Sequence, residues 1–185
     1  YYNIVNAEAI TLSGQVSIRW IENKMNQKMN KILKTEDVDY VIASDTDSIY
    51  LNLGPLVEGV YKGREETDEV IVGFIDKVCS MELEPYIESS YEALAEYVNA
   101  YDQKMFMKRE TIANKGIWTA KKRYILNAWD IEGVRFSEPK LKVMGIEAVK
   151  SSTPGACRDK IRECLKVIMN SDEEDAQKFI ADFRE

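Results

Sequence analysis

Apolar residues recur at three- and four-residue steps between Asn6 and Leu33, at Ile18, Ile21, Met25, Met29 and Ile32, with Glu, Lys, Asn and Gln between them. That is the period of an amphipathic helix. Thr35-Glu36-Asp37 interrupts it, and Tyr40-Val41-Ile42 follows as a short apolar strand. Ile49-Tyr50-Leu51-Asn52-Leu53 alternates as a second strand. Between the two lies Asp45-Thr46-Asp47-Ser48, so the pattern predicts a hairpin with two carboxylates at its tip. Gly54 and Pro55 end it, and a loosely patterned acidic stretch comes next.

A second helical region runs from about Asp68 to Asn99, with Val70, Phe74, Val78 and Met81 on one stripe and Tyr91, Leu94 and Val98 on a later one. Pro85 is expected to kink it or break it in two. The chain then turns β-rich: Met105 to Ala113, a tight turn at Asn114-Lys115-Gly116, Ile117 to Trp129, a strand around Val134-Arg135-Phe136, and Lys140 to Met144. Ser151-Ser152-Thr153-Pro154 is a strong helix start, since a hydroxyl can cap open N–H groups while Pro fills the first turn. Ile161, Leu165 and Ile168 mark the buried stripe of that helix, and a last helix from Asp172 carries Phe179, Ile180 and Phe183. Helix, hairpin, helices, antiparallel strands and helices in that order predict an α+β fold, without the β-α alternation of a doubly wound sheet.

At 185 residues the chain is about one domain, or one domain and part of a second. It contains no histidine, which excludes Ser-His-Asp and Cys-His catalysis and His-ligated zinc within these residues. Cys79, Cys157 and Cys164 are too few and too scattered for a disulfide framework, so reduced thiols and a cytoplasmic setting are expected. No apolar run approaches the roughly 20 residues that span a bilayer, and no membrane partner is expected. Tyr1-Tyr2-Asn3 is neither an initiator Met nor a signal peptide, so the chain reads as a piece of something longer.

The net charge of −7 is unevenly distributed. Glu58 to Glu96 holds eleven acids against three bases, whereas Tyr101 to Ile125 holds seven bases against two acids and Lys140 to Lys166 seven against three. A basic patch on an acidic body suits a surface that tracks a nucleic-acid backbone; a solvated face is the plainer alternative.

Asp45 and Asp47 stand two residues apart in an extended context, which predicts that their side chains leave the same face. Two like charges held that close favour a shared cation, and hard oxygen ligands suit Mg²⁺ or Mn²⁺. Three chemistries use such a tip: two-metal nucleotidyl transfer, a D-x-D glycosyltransferase, and an aspartate-nucleophile phosphatase, the last disfavoured because the chain returns at once as a hairpin. A turn whose Asp and Ser only bond the backbone is the structural alternative. In Lys121-Lys122-Arg123-Tyr124, strand alternation places Lys122 and Tyr124 on one face and Lys121 and Arg123 on the other. The first pair could meet nucleic acid, or the segment could be an edge strand blunted by charge. Lys150, Ser151, Ser152 and Thr153 form either a helix cap or a phosphate-binding helix start. Glu110 is either a third acid near the tip or an ordinary salt-bridge partner.

Together these motifs resemble the B-family DNA polymerases, most closely those of T-even-type bacteriophages. Asp45-Thr46-Asp47-Ser48 with Tyr50 resembles that family's Y-G-D-T-D-S motif, with Ala43-Ser44 standing where the family has Tyr-Gly. Trp118-Thr119-Ala120-Lys121-Lys122-Arg123-Tyr124, then Asn127, Trp129-Asp130 and Glu132-Gly133, looks like its K-K-R-Y strand. Glu138-Pro139-Lys140-Leu141-Lys142, Met144-Gly145 and Lys150-Ser151-Ser152-Thr153-Pro154 look like the passage from palm to thumb.

The resemblance implies a palm subdomain over 1–149, its C-terminal part, and the beginning of the thumb over 150–185. It implies an antiparallel palm sheet, two Mg²⁺ or Mn²⁺ ions in the intact enzyme, Asp47 as ligand of both, and Asp45 near the primer terminus. Lys122 and Tyr124 would hold the primer duplex, flanked by Lys121 and Arg123, and the segment Lys150 to Thr153 would meet backbone phosphates. Primer–template DNA, a deoxynucleoside triphosphate and the remainder of the polymerase chain (exonuclease, fingers and most of the thumb) would be the partners, in the host cytoplasm. The family's D-x-x-S-L-Y-P-S and K-x-x-x-N-S-x-Y-G segments do not occur here, so the isolated chain is expected to be inactive. A palm-like DNA-binding module without chemistry is the non-enzymatic alternative.

Overall fold

The computed structural model of the chain describes residues 3–182; Phe183 of the expected last helix lies outside them. The fold is α+β and divides into two compact units, Tyr1–Arg109 and Glu110–Glu185.

The first unit is built on a long helix α1 (Ile4–Leu33), whose Ser17, Ile21, Met25 and Met29 fall every four residues onto one buried stripe. Ile32, expected on that stripe, is exposed. Asn26 ties the helix to the hairpin: its Oδ1 accepts from the backbone N–H groups of Tyr40 and Val41 at 2.8 and 3.0 Å, and its Nδ2 donates to Asp39 at 2.7 Å. The hairpin itself is β1 (Val41–Asp45) and β2 (Ser48–Leu51), antiparallel, with Asp45 opposite Ser48. Where the sequence pattern suggested only a loose acidic stretch, α2 (Gly54–Tyr61) follows immediately. Gly54 and Pro55 end the strand and also open this helix, because Pro costs no hydrogen bond in a first turn and Asn52 Oδ1 accepts from Gly54 N.

The helical run from Asp68 continues as α3 (Asp68–Val78), a π-helical turn (Cys79–Leu83) and α4 (Glu84–Tyr97). Pro85 does not break it. The missing N–H is accommodated by the widened turn just before it, where Glu84 N–H donates to Cys79 O. Tyr91 and Leu94 are buried as expected, but the rest of the buried stripe is Val72, Cys79, Leu83 and Ile87, whereas Val70, Met81 and Val98 are exposed. The apolar pattern before the π turn is ambiguous, since Val70, Val72, Phe74 and Val78 offer more than one helical face, and packing selects the one that carries Val72. Cys79, Leu83, Ile87, Tyr91 and Leu94 close with Ile21, Met25, Met29, Tyr40 and Val41 into the core of the unit.

The second unit centres on an antiparallel sheet in the order β3 (Thr111–Ala120), β4 (Arg123–Ile131), β5 (Val134–Met144). The expected turn at Asn114-Lys115-Gly116 lies inside β3, where irregular pairing with β4 absorbs the extra length. Gly116 is needed there for space: a Cβ would come within 2.6 Å of the Trp118 ring and 2.9 Å of Leu126. The actual reversal is at Lys121-Lys122, so Ile117 to Trp129 is two strands, while Val134 to Met144 is a single one. Glu132 and Gly133, both left-handed, make the two-residue turn from β4 to β5.

A short 3₁₀ turn (Glu147–Val149) leads to α5 (Gly155–Asn170) and α6 (Glu173–Asp182). The expected hydroxyl cap is absent: Pro154 occupies the N-cap position of α5 with no side-chain bond. Met169 is the buried residue of α5, with Ile161 and Leu165 half-buried and Ile168 exposed. In α6 Phe179 is half-buried and Ile180 exposed. Lys115 Nζ donates to Met169 O at 2.8 Å and Asn127 Nδ2 to Asn114 and Asn170, so the end of α5 is hydrogen-bonded to the sheet.

Burial also separates the thiols. Cys79 is buried and its thiol is pushed up to about 11 by desolvation, against the nearby Arg109 guanidinium that pulls it down; Cys157 is exposed and Cys164 intermediate. Since the thiolate is the reactive form, an alkylating reagent near neutral pH is expected to label Cys157 first, Cys164 more slowly and Cys79 only on unfolding. Peptide mass mapping reads that order, and early labelling of Cys79 would contradict the packing of the first unit.

Candidate metal-binding tip and basic patch

The tip does not present its acids by strand alternation. Asp45 is the last residue of β1, but Thr46 has φ of 52° and Asp47 sits in the turn. A β-branched residue in the left-handed region is strained by about 1–3 kcal/mol. Local bonds hold it: Asp47 N–H donates to Asp45 O at 2.6 Å, Thr46 Oγ1 donates to Asp45 Oδ1 at 3.0 Å, and Ser48 Oγ donates to Asp45 O at 3.1 Å. Both carboxylates stay at the end of the hairpin, Asp45 half-buried and Asp47 exposed.

Behind them stands Tyr91 of α4, a buried residue that sequence reading passed over as core. Its phenol is raised above its ordinary value, first by burial and then by the negative charge of Asp47. Two carboxylates provide two of the roughly six oxygens that Mg²⁺ takes, and a strained turn that exposes one of them suits an ion completed by water and substrate phosphates. Among the described residues no third acid or thiol joins them into a closed cage. Glu110 belongs to the other unit and forms an ion pair with Lys142, as a salt-bridge partner would.

In the second unit, Lys121, Lys122 and Arg123 are exposed at the β3–β4 turn, with Lys122 at φ of 60°. The alternation expected for a continuous strand is replaced by a bend, because Lys121 and Lys122 form the reversal itself. Tyr124, expected beside Lys122 on an open face, is buried, with its ring 6.5 Å from that of Trp118.

A residue absent from the sequence-derived site, Glu147, gathers the patch. Arg123 Nη2 and Lys150 Nζ both donate to its Oε1, at 2.9 and 2.8 Å. Its carboxyl is held below the usual range, chiefly by the Lys150 hydrogen bond. The Glu147–Lys150 spacing of three was visible in the sequence; the approach of Arg123 from another strand was not. Arg123 Nε also donates to Gly145 O at 3.2 Å, and Thr153 N–H donates to Lys150 O at 3.2 Å. The turn at Lys121–Arg123 and the segment Lys150–Thr153 are thus joined through Glu147 into one cationic surface. Among the described residues, no helix is long and apolar enough to cross a membrane.

No protein-family model matches the chain. It is 41% identical over 181 residues to the DNA-directed DNA polymerase of Escherichia phage RB69, covering 94% of this chain and 20% of that protein. It is 39% identical over 191 residues to the DNA-directed DNA polymerase of Enterobacteria phage T4, covering 99% of this chain and 21% of that protein. The chain therefore spans about a fifth of the length of the curated relatives it matches.

Proposed function

We propose that this chain, whose sequence belongs with a segment of the T-even-type phage DNA polymerases, carries part of the catalytic site of a family B DNA polymerase acting in the host cytoplasm. Residues 1–149 are then the C-terminal part of the palm and 150–185 the beginning of the thumb. The observation that carries this reading is the pair Asp45 and Asp47 at a tight hairpin tip, inside a chain similar to those polymerases over nearly all of its length.

In the intact enzyme the 3′-hydroxyl oxygen of a primer attacks the α-phosphorus of an incoming deoxynucleotide; that bond forms as the bond to the leaving pyrophosphate breaks. Asp45 and Asp47 would hold two Mg²⁺ or Mn²⁺ ions, which when bound lower the charge of the phosphates and favour the deprotonated hydroxyl. Asp47, exposed on the turn, is the better placed to reach ions open to substrate. Lys121, Lys122, Arg123 and Lys150 position the primer–template backbone by charge, with the Ser151, Ser152 and Thr153 hydroxyls as further donors to phosphate. Tyr124, buried with its ring against Trp118, would act by holding the β3–β4 turn in shape. Glu110 acts as the partner of Lys142.

The test is complementation. Supplied with the remaining four-fifths of the polymerase, the chain is expected to support Mg²⁺-dependent primer extension, and alone it is expected to support none. Its binding to a primer–template duplex should weaken with salt, with a log–log slope of about −3 to −4 if the four cations each meet a phosphate. A flat salt dependence would remove the nucleic-acid assignment of the patch. A nucleotide-sugar that stabilises the chain more than deoxynucleotides would favour a glycosyltransferase instead.

A further inference from the structure

Between β5 and α5, within the second unit, lies a cleft of about 710 Å³ lined by none of the residues assigned above to metal or nucleic acid. Its floor is apolar: Phe136, Leu141 and Val143 from β5 are half-buried, and Val149 adds to it from the 3₁₀ turn. Its rim is cationic, with Lys140, Arg162 and Lys166 against the single acid Glu138; Arg135, also at the rim, is paired with the buried Asp130 at 3.6 Å.

Among the described residues, Lys140, Arg162 and Lys166 are not closed by tight ion pairs. Lys140 Nζ lies 4.0 Å above the Phe136 ring, and Arg162 reaches Asp159 only at 3.8 Å. No carboxylate partners Lys140 or Lys166 among the described residues. An apolar floor inside a charged rim is the anatomy of a protein-docking surface. A phosphate backbone would use the rim and leave the floor wet; a segment with aliphatic anchors and flanking carboxylates satisfies both. The curated relatives are about five times as long as this chain, so ample polymerase polypeptide exists outside it to supply one.

We propose that the cleft between β5 and α5 receives an acidic amphipathic segment of the polymerase's own remaining polypeptide, aliphatic side chains on Phe136, Leu141 and Val143 and carboxylates on Lys140, Arg162 and Lys166. This rests on the polymerase reading above. The interaction fixes the start of the thumb to the rest of the enzyme.

The probes are synthetic peptides tiling the part of the RB69-phage polymerase that this chain does not match, titrated against the full chain by fluorescence anisotropy. At least one peptide with interleaved acids and aliphatics is expected to bind, and to lose roughly tenfold in affinity against the double variant Arg162→Glu, Lys166→Glu. Lys140→Glu, on the opposite wall, should weaken the same peptide. Circular dichroism melts should match wild type, as all three side chains are at the surface. The proposal is overturned if no tiled peptide binds, if the reversals leave binding unchanged, or if a duplex oligonucleotide displaces the peptide and is itself weakened by the reversals. Asp47→Ala tests the polymerase reading at a different site, so loss of one leaves the other separately measurable.

Discussion

Asp47→Ala is expected to lower primer extension by the complemented polymerase by at least roughly a thousandfold, about 4 kcal/mol of transition-state stabilisation, with little change in the stability of the chain. The two halves of that expectation come from the same turn. The backbone of Asp47 closes the tip through its N–H to Asp45 O, while its side chain is exposed and forms no hydrogen bond among the described residues. Alanine keeps the N–H and removes only the carboxylate. A metal ligand is lost where charge must be neutralised, and no packing is lost. Asp47→Asn, which keeps the shape and one oxygen but not the charge, should fall nearly as far. Asp45→Ala removes in addition the acceptor of the Thr46 hydroxyl and should loosen the strained turn as well. Extension undiminished in Asp47→Ala, measured as single-turnover nucleotide addition, would sink the assignment of the tip.

The second large effect is expected at Gly145, which contributes no side chain at all. It has φ of +67°, and a Cβ there would sit 2.1 Å from the carbonyl oxygen of Lys122 and 3.3 Å from Cγ of Arg123. The colliding atom is backbone, so the neighbour cannot rotate away. Gly145→Ala combines the left-handed penalty of about 1–2 kcal/mol with forced displacement of the Lys121–Lys122 turn, and a total loss of about 3 kcal/mol or more is expected. Gly133→Ala is the control. It is also left-handed, at φ of +85°, but nothing lies within 4 Å of its added Cβ, so it should cost only about 1 kcal/mol. The difference between the two in urea denaturation isolates the close approach. Gly145→Ala should also weaken duplex binding beyond what lost stability explains, because Arg123 donates to Gly145 O and reaches Glu147 from there. Equal losses in the two variants would show that the turn does not rest on Gly145.

These two sites divide the problem of reading the chain. The acids at the hairpin tip were legible because strand, polar turn and strand are adjacent in sequence. Their geometry was not: the prediction of a shared strand face assumed extended backbone at Thr46, and the left-handed turn there replaces it. The basic ribbon shows the same limit. Asn114-Lys115-Gly116 carries the local signals of a turn, yet its glycine makes room for the Trp118 ring, while the reversal falls on two lysines without such a signal. Lys122 accepts a left-handed conformation because sheet pairing on both sides and the Gly145 contact beneath it outweigh its own modest preference.

Along the chain, hydrophobic period and the placing of charged blocks determined the α+β order of elements, the buried stripe of α1 and the two places where chemistry could sit. They could do so because each is a property of residues a few positions apart. Tertiary structure alone decided that Glu147 joins Arg123 to Lys150, that the Asp47 charge acts on the Tyr91 phenol, that a π turn lets the helical run continue through Pro85, and that Tyr124 is buried with its ring against Trp118. Each of these is a spatial distance or a rotation accumulated over many residues, fixed only when the elements pack.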